Sequence, residues 1–195
     1  MIDFARATAA GLWFALSGVS YGTVSFQMGA GSQRVQLITE DADQQKFTLK
    51  GPMKTAGAHI QPIQGLPVAI GVVASQLSLS GNEGSSTLAA SGNEFGLEAC
   101  TWAKVGYVGF FLRGGKIFAG QTSLLRNGQS SETWRYNDIH GAFGVAGNVA
   151  SSLSLMLEVR QAFASSFEFL YGDSHRESPR YLQSSSVLIG FEFGA

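Results

Sequence analysis

From residue 152 to residue 169 the chain alternates with a period of two. Leu153, Leu155, Leu157, Val159, Gln161, Phe163, Ser165, Phe167 and Phe169 fall on one side; Ser154, Met156, Glu158, Arg160, Ala162, Ala164, Ser166 and Glu168 fall on the other. A helix would scatter the phenylalanines, so the pattern predicts a strand whose charged residues share one face. The alternation returns near the C-terminal end, where Val187, Ile189, Phe191 and Phe193 oppose Ser186, Leu188, Gly190 and Glu192. One face is apolar and ends in aromatics; the other is mostly small or acidic. Strands in contact with lipid outside and a polar interior inside read this way.

Six further strands are expected over 11–21 (continuing as far as Phe26), 54–63, 67–79, 95–102, 109–120 and 138–149. Within them Phe95, Leu97 and Ala99 oppose Glu98, Cys100 and Trp102, and Gly141, Phe143 and Val145 oppose His140, Ala142 and Gly144. The Gly114–Gly115 pair after Arg113 suits a β-bulge. Connections at 64–66, 103–108 and 150–151 are short, whereas 27–53, 80–94, 121–137 and 170–182 are long and polar. Eight strands with alternately short and long connections predict an all-β fold, an eight-stranded antiparallel up-and-down transmembrane β-barrel forming one domain over 1–195.

Composition narrows the classes. Charged residues make up 14% of the chain, against roughly 25% in an ordinary soluble domain. Glycine is frequent, with 25 residues, and proline rare, with 4, which disfavours helices and suits curved, closely packed strands. No apolar run approaches the ~18 residues of a membrane-spanning helix, so membrane integration would require a closed barrel. A net charge of -1 gives no basic excess for nucleic acid, and no polybasic run marks an anionic-lipid tract. The single cysteine, Cys100, excludes an intramolecular disulfide framework and reads as a small buried side chain. The apolar stretch 11–19 lacks a net positive leader and a small-x-small cleavage site. It reads as part of the first strand, with any export signal removed ahead of residue 1.

Segments 12–18 (LWFALSG), 59–71 (HIQPIQGLPVAIG) and 187–193 (VLIGFEF) resemble small eight-stranded outer-membrane barrels of Gram-negative bacteria, broadly the OmpA transmembrane domain, OmpW and OmpX. The resemblance lies in pattern and order over nearly the whole chain. It implies residence in the bacterial outer membrane, with short periplasmic turns and long extracellular loops. It also implies contact with outer-membrane lipid and lipopolysaccharide, and passage through the barrel-assembly machinery, which reads terminal segments like 187–193.

Phasing the strands sends Glu98, Arg113, Glu158, Arg160, Glu168, Glu192 and His59 inward, where they are expected to neutralise one another in a filled lumen. Leu153, Leu155, Leu157, Val159, Val187, Ile189, Phe191 and Phe193 are expected to face lipid. Trp134, Tyr136, Tyr171 and Tyr181 flank strand ends and suit an interfacial aromatic girdle. The run Asp173-Ser174-His175-Arg176-Glu177 contains every residue type of a nucleophilic triad. Neighbours in a loop rarely orient as one, and the His-x-Ser-Asn string sought in outer-membrane deacylases is absent, so no enzymatic role and no catalytic residue is assigned. Asp138 and His140 share a strand face, but two ligands do not make a metal site, and neither metal nor cofactor is expected. The function expected is structural or loop-mediated interaction. An OmpW-like binding or passage of a small apolar solute, through a lateral opening, is the alternative. A soluble calycin-like barrel is a third reading, and it would require charges on the outer faces.

Overall fold

A sheet whose strands carry one apolar and one polar face leaves two unpaired edges unless it closes on itself. Here it closes. The computed structural model describes residues 24–39, 46–63, 65–171, 174–177 and 180–194. Its strands are β1 (Val24–Thr39), β2 (Lys46–Ile60), β3 (Val68–Glu83), β4 (Ser86–Val105), β5 (Val108–Arg126), β6 (Gln129–Ala150), β7 (Leu153–Tyr171), β8 (Ser174–Glu177) and β9 (Arg180–Gly194). Each strand from β1 to β7 pairs antiparallel with its sequence neighbour, and β9 joins β7 to β1, so eight strands form a complete cylinder. The short β8 pairs with the end of β7, beyond the last β7–β9 pair at Phe163–Gln183.

The wall differs from the sequence reading in where its strands begin and end. The expected first strand, 11–21, lies outside the described residues; β1 instead runs through a segment read as loop and pairs with β9 from Ser25–Gly194 to Thr39–Arg180. The expected loops 80–94 and 121–137 are mostly strand, reduced to two-residue turns at Gly84–Ser85 and Asn127–Gly128. Gly84 and Gly128 both take positive φ, the conformation that such turns demand. The short connections at 64–66, 103–108 and 150–151 all fall on the rim shared by Val24 and Gly194, as the alternation required. The bulge lies not at Gly114–Gly115, which keep register with Ala99 and Glu98, but at Phe118 and Ala119. Both of those side chains point outward in succession.

Barrel strands here run to 22 residues in β6, about twice the roughly 9–11 residues that cross a bilayer. Their chemistry changes halfway. On the half nearer the short turns the outer face is apolar: 153–163, 95–105, 108–118 and 139–149 are each eleven residues long, and their alternate, outward positions are Leu, Val, Ile, Phe, Ala or Gly, broken by Thr101, Lys116 and Gln161, a length that matches one bilayer crossing. On the other half the outer face becomes Ser32, Arg34, Lys50, Lys54, Gln76, Ser78, Ser80, Ser91, Gln121, Ser123 and Arg135, all exposed. The inner face there is a hydrophobic core of Val35, Leu49, Met53, Leu77, Leu79, Leu88, Leu124, Trp134, Tyr136 and Leu182. Apart from the bulges, the pleat continues along each strand, and what is exchanged is which face is apolar.

Candidate functional site

Inside the lipid-sized half of the barrel, inward positions of six strands supply a compact polar cluster. Glu98 of β4 is its hub, with its side chain wholly buried. Its Oε1 accepts hydrogen bonds from His59 Nε2 of β2 at 2.7 Å and from Gln27 Nε2 of β1 at 3.0 Å. Its Oε2 lies 3.3 Å from His140 Nε2 of β6 and 3.5 Å from Arg160 Nη2 of β7. Glu158 of β7 forms the second node. Arg113 of β5 donates to its Oε2 at 2.7 Å, and Arg160 donates to its Oε1 through Nε at 3.0 Å, with Nη2 in ion-pair contact at 2.9 Å. Arg160 therefore ties the two carboxylates into one network. Burying these charges singly would cost several kcal/mol each, so mutual satisfaction is what permits them here.

Two glycines make the room. A Cβ at Gly115 would collide with the Leu97 carbonyl oxygen and lie 2.8 Å from both Glu98 Cβ and His140 Cε1. A Cβ at Gly71 would press on the Ala58 carbonyl oxygen and sit 2.5 Å from His59 Cδ2. Within the Gly114–Gly115 pair, then, Gly115 serves close approach rather than a bulge, while Gly114 faces outward and is exposed. Gly115→Val should destabilise the folded barrel by about 1–3 kcal/mol through overpacking, read as a lower urea midpoint. An unchanged midpoint would show that the network yields freely.

The network is sealed at both ends. Towards the short turns, Cys100, Phe111 and Met156 pack with Trp102 and Ala146, and the Arg113 guanidinium lies 4.5 Å over the Phe111 ring. Towards the other rim stands the hydrophobic core described above. Between core and network is a second polar layer, where Tyr136 donates to Glu94 at 2.9 Å and lies 3.4 Å from Thr122 Oγ1. These groups, with Gln33 and Asp138, line a cavity of about 10 Å³, room for about one water. Asp138 Oδ1 is 3.9 Å from His140 Nδ1. No group of three or more metal-ligating side chains forms among the described residues.

Of the residues placed inward from sequence, the fold brings His59, Glu98, Arg113, Glu158 and Arg160 together. Glu192 is half-buried and makes no ion pair with them among the described residues; the side chain of Glu168 lies outside the described residues. Of the residues placed outward, Leu155, Leu157, Val159, Val187, Ile189, Phe191 and Phe193 are exposed and Leu153 partly so. Trp134 and Tyr136 are not girdle residues: they point inward and are buried. The side chains of Tyr171, Tyr181 and residues 173–177 lie outside the described set. Sequence reading missed Gln27 and Glu94, both assigned to loops, and weighed His140 only as a metal ligand.

No protein-family model matches the sequence, and no curated protein matches it significantly. Solved structures do match. Neisserial surface protein A shares 13% identity at a TM-score of 0.59, over 86% of this chain and 96% of its own. Ail, the attachment invasion locus protein of Yersinia pestis, shares 11% identity at 0.45, over 89% and 99%. The outer membrane protease OmpT of Escherichia coli shares 8% at 0.39, over 90% and 97%. The cylinder itself and the first of these matches give one conclusion: the chain has the fold of an eight-stranded outer-membrane β-barrel.

Proposed function

We propose that the protein is an integral outer-membrane barrel that anchors a rigid, polar-faced extension above the bilayer and acts through that extension in envelope structure or recognition. The observation that carries this reading is the exchange of apolar and polar faces halfway along the strands. An apolar belt one bilayer thick cannot stand in water without association, while the half above it is built like a soluble barrel. The buried charge network, flanked by apolar clusters on either side, supports a filled lumen over a solute pathway. Adjacent barrel strands are paired all round, which supports an anchoring role over lateral passage of an apolar solute. A wholly soluble barrel would need polar residues where Val159 and Ile189 stand 54% and 59% exposed. No catalytic residue is assigned.

Refolding into detergent tests the reading. Unboiled protein should migrate differently from boiled protein on a gel, and planar-bilayer recordings should show no steady conductance. Leu157→Arg, in the middle of the belt on β7, should lower membrane assembly by about 2–4 kcal/mol. A monodisperse, β-rich protein in buffer without detergent would overturn the anchor.

A further inference from the structure

The exposed cations near the upper end of the apolar belt are grouped by strand pairing. Arg34 of β1 stands directly opposite Lys50 of β2 in the β1–β2 register, and Lys54 follows on the same outward face of β2. All three are exposed. Around them the register places Ser185 beside Arg34, Ser80 beside Lys50 and Gln76 beside Lys54. None of these neighbours is acidic, and none of the three cations forms an ion pair among the described residues. Elsewhere on the same half a cation does find an acid: Arg126 pairs with Glu83. Like charges directly opposite across a ladder repel, and no described side chain offsets Arg34 and Lys50, so the pair favours an anion supplied from outside the chain.

Their position says where that anion lies. Lys54 is the register partner of Ala30, the last apolar outward residue of β1 among the described side chains, and of Gln76, which follows the outward Ala74 on β3. The cluster therefore begins where the lipid-sized face ends, at headgroup depth, on the side away from the short turns. We infer that Arg34, Lys50 and Lys54 bind the phosphate groups of a lipid headgroup in the outer leaflet, that of lipid A. This rests on the anchor reading and names its lipid partner. Arginine and lysine on a flat wall, separated by Ser32 and Pro52, present several N–H donors over a neutral floor, which suits a multiply charged phosphate ester.

The test uses the detergent-refolded protein titrated with lipid A in mixed micelles, with Arg34→Gln, Lys50→Gln and Lys54→Gln combined. Each cation near an anionic surface contributes on the order of a tenfold or smaller change in affinity, so the triple variant should bind about a hundredfold more weakly. Lys104→Gln, on the opposite rim, should bind as wild type. Dephosphorylated lipid A should bind no better to wild type than to the triple variant. Equal lipid A affinity of wild type and triple variant would overturn the site. Displacement of lipid A by millimolar inorganic phosphate would overturn it as a lipid site and assign it to free anion. Gel mobility is read on the same samples: a normal heat shift without lipid A binding refutes this site alone, whereas loss of the shift in wild type refutes the anchor as well.

Discussion

Glu98→Ala should destabilise the refolded barrel by about 3–5 kcal/mol, the range found when one partner of a buried charged group is removed. The size follows from what is left behind. Gln27, His59 and His140 all lose the carboxylate they contact, and Arg160 loses one of its two. No other carboxylate is in hydrogen-bond contact with His59 among the described residues, and a buried polar group without a partner carries its full desolvation cost. Arg160→Ala should cost less, because Glu98 then keeps three contacts and Glu158 keeps Arg113. Glu98→Gln should fall between wild type and alanine, since an amide oxygen still accepts but carries no charge. Urea unfolding of the three variants in the same detergent checks the order. If Glu98→Ala unfolds at the wild-type midpoint, the cluster is filling space and not holding the wall together.

That network was partly legible from sequence, and the reason is geometric. Glu98, Arg113, Glu158 and Arg160 sit in strands whose outer residues are strongly apolar, so period two assigns their side without ambiguity. The same rule fails for the other half. In 86–94, Leu88 and Ala90 alternate with Thr87, Ser91 and Asn93 in part as in any half-buried strand, but flanking glycine and serine make the segment look like a loop. In 75–79, expected as strand, the same alternation reads with its apolar face towards lipid. Leu77, Leu79, Leu88 and Leu124 were the available signal, and reading them required dropping the assumption that lipid-facing polarity holds along the full strand. Nor does any stretch of sequence show that Arg34 faces Lys50. The two are brought together by register alone, and the absence of a polybasic run concealed a basic patch. Gly115 and Gly71 illustrate the same limit: a glycine in a strand signals close approach, but what approaches is known only once Glu98, His140 and His59 are placed.

Trp134 discriminates between the two halves. As an interfacial girdle residue its loss would weaken insertion; as found, it is 1% exposed inside the upper core, packed in the same cluster as Leu77, Leu124 and Leu182. Trp134→Ala should therefore cost about 3–5 kcal/mol, the usual penalty for emptying a large aromatic site, and the loss should be confined to the extension. Amide exchange should quicken in the hairpins β3–β4 and β5–β6 above the belt, and protease should nick near Asn127–Gly128. The lower network, held by its own ion pairs and by lipid outside, should keep its protection and its heat-modifiable gel shift. Trp134→Phe, which keeps most of the volume, should recover much of the stability. Uniform loss of protection down to Glu98 would mean that both halves fold as one cooperative unit. A change in insertion without any change in exchange would instead place Trp134 at the membrane surface and reverse the assignment of its face. The predicted pattern separates the two roles of the strand: below the belt's upper edge lipid and charge pairing hold the wall, and above it an ordinary hydrophobic core does so.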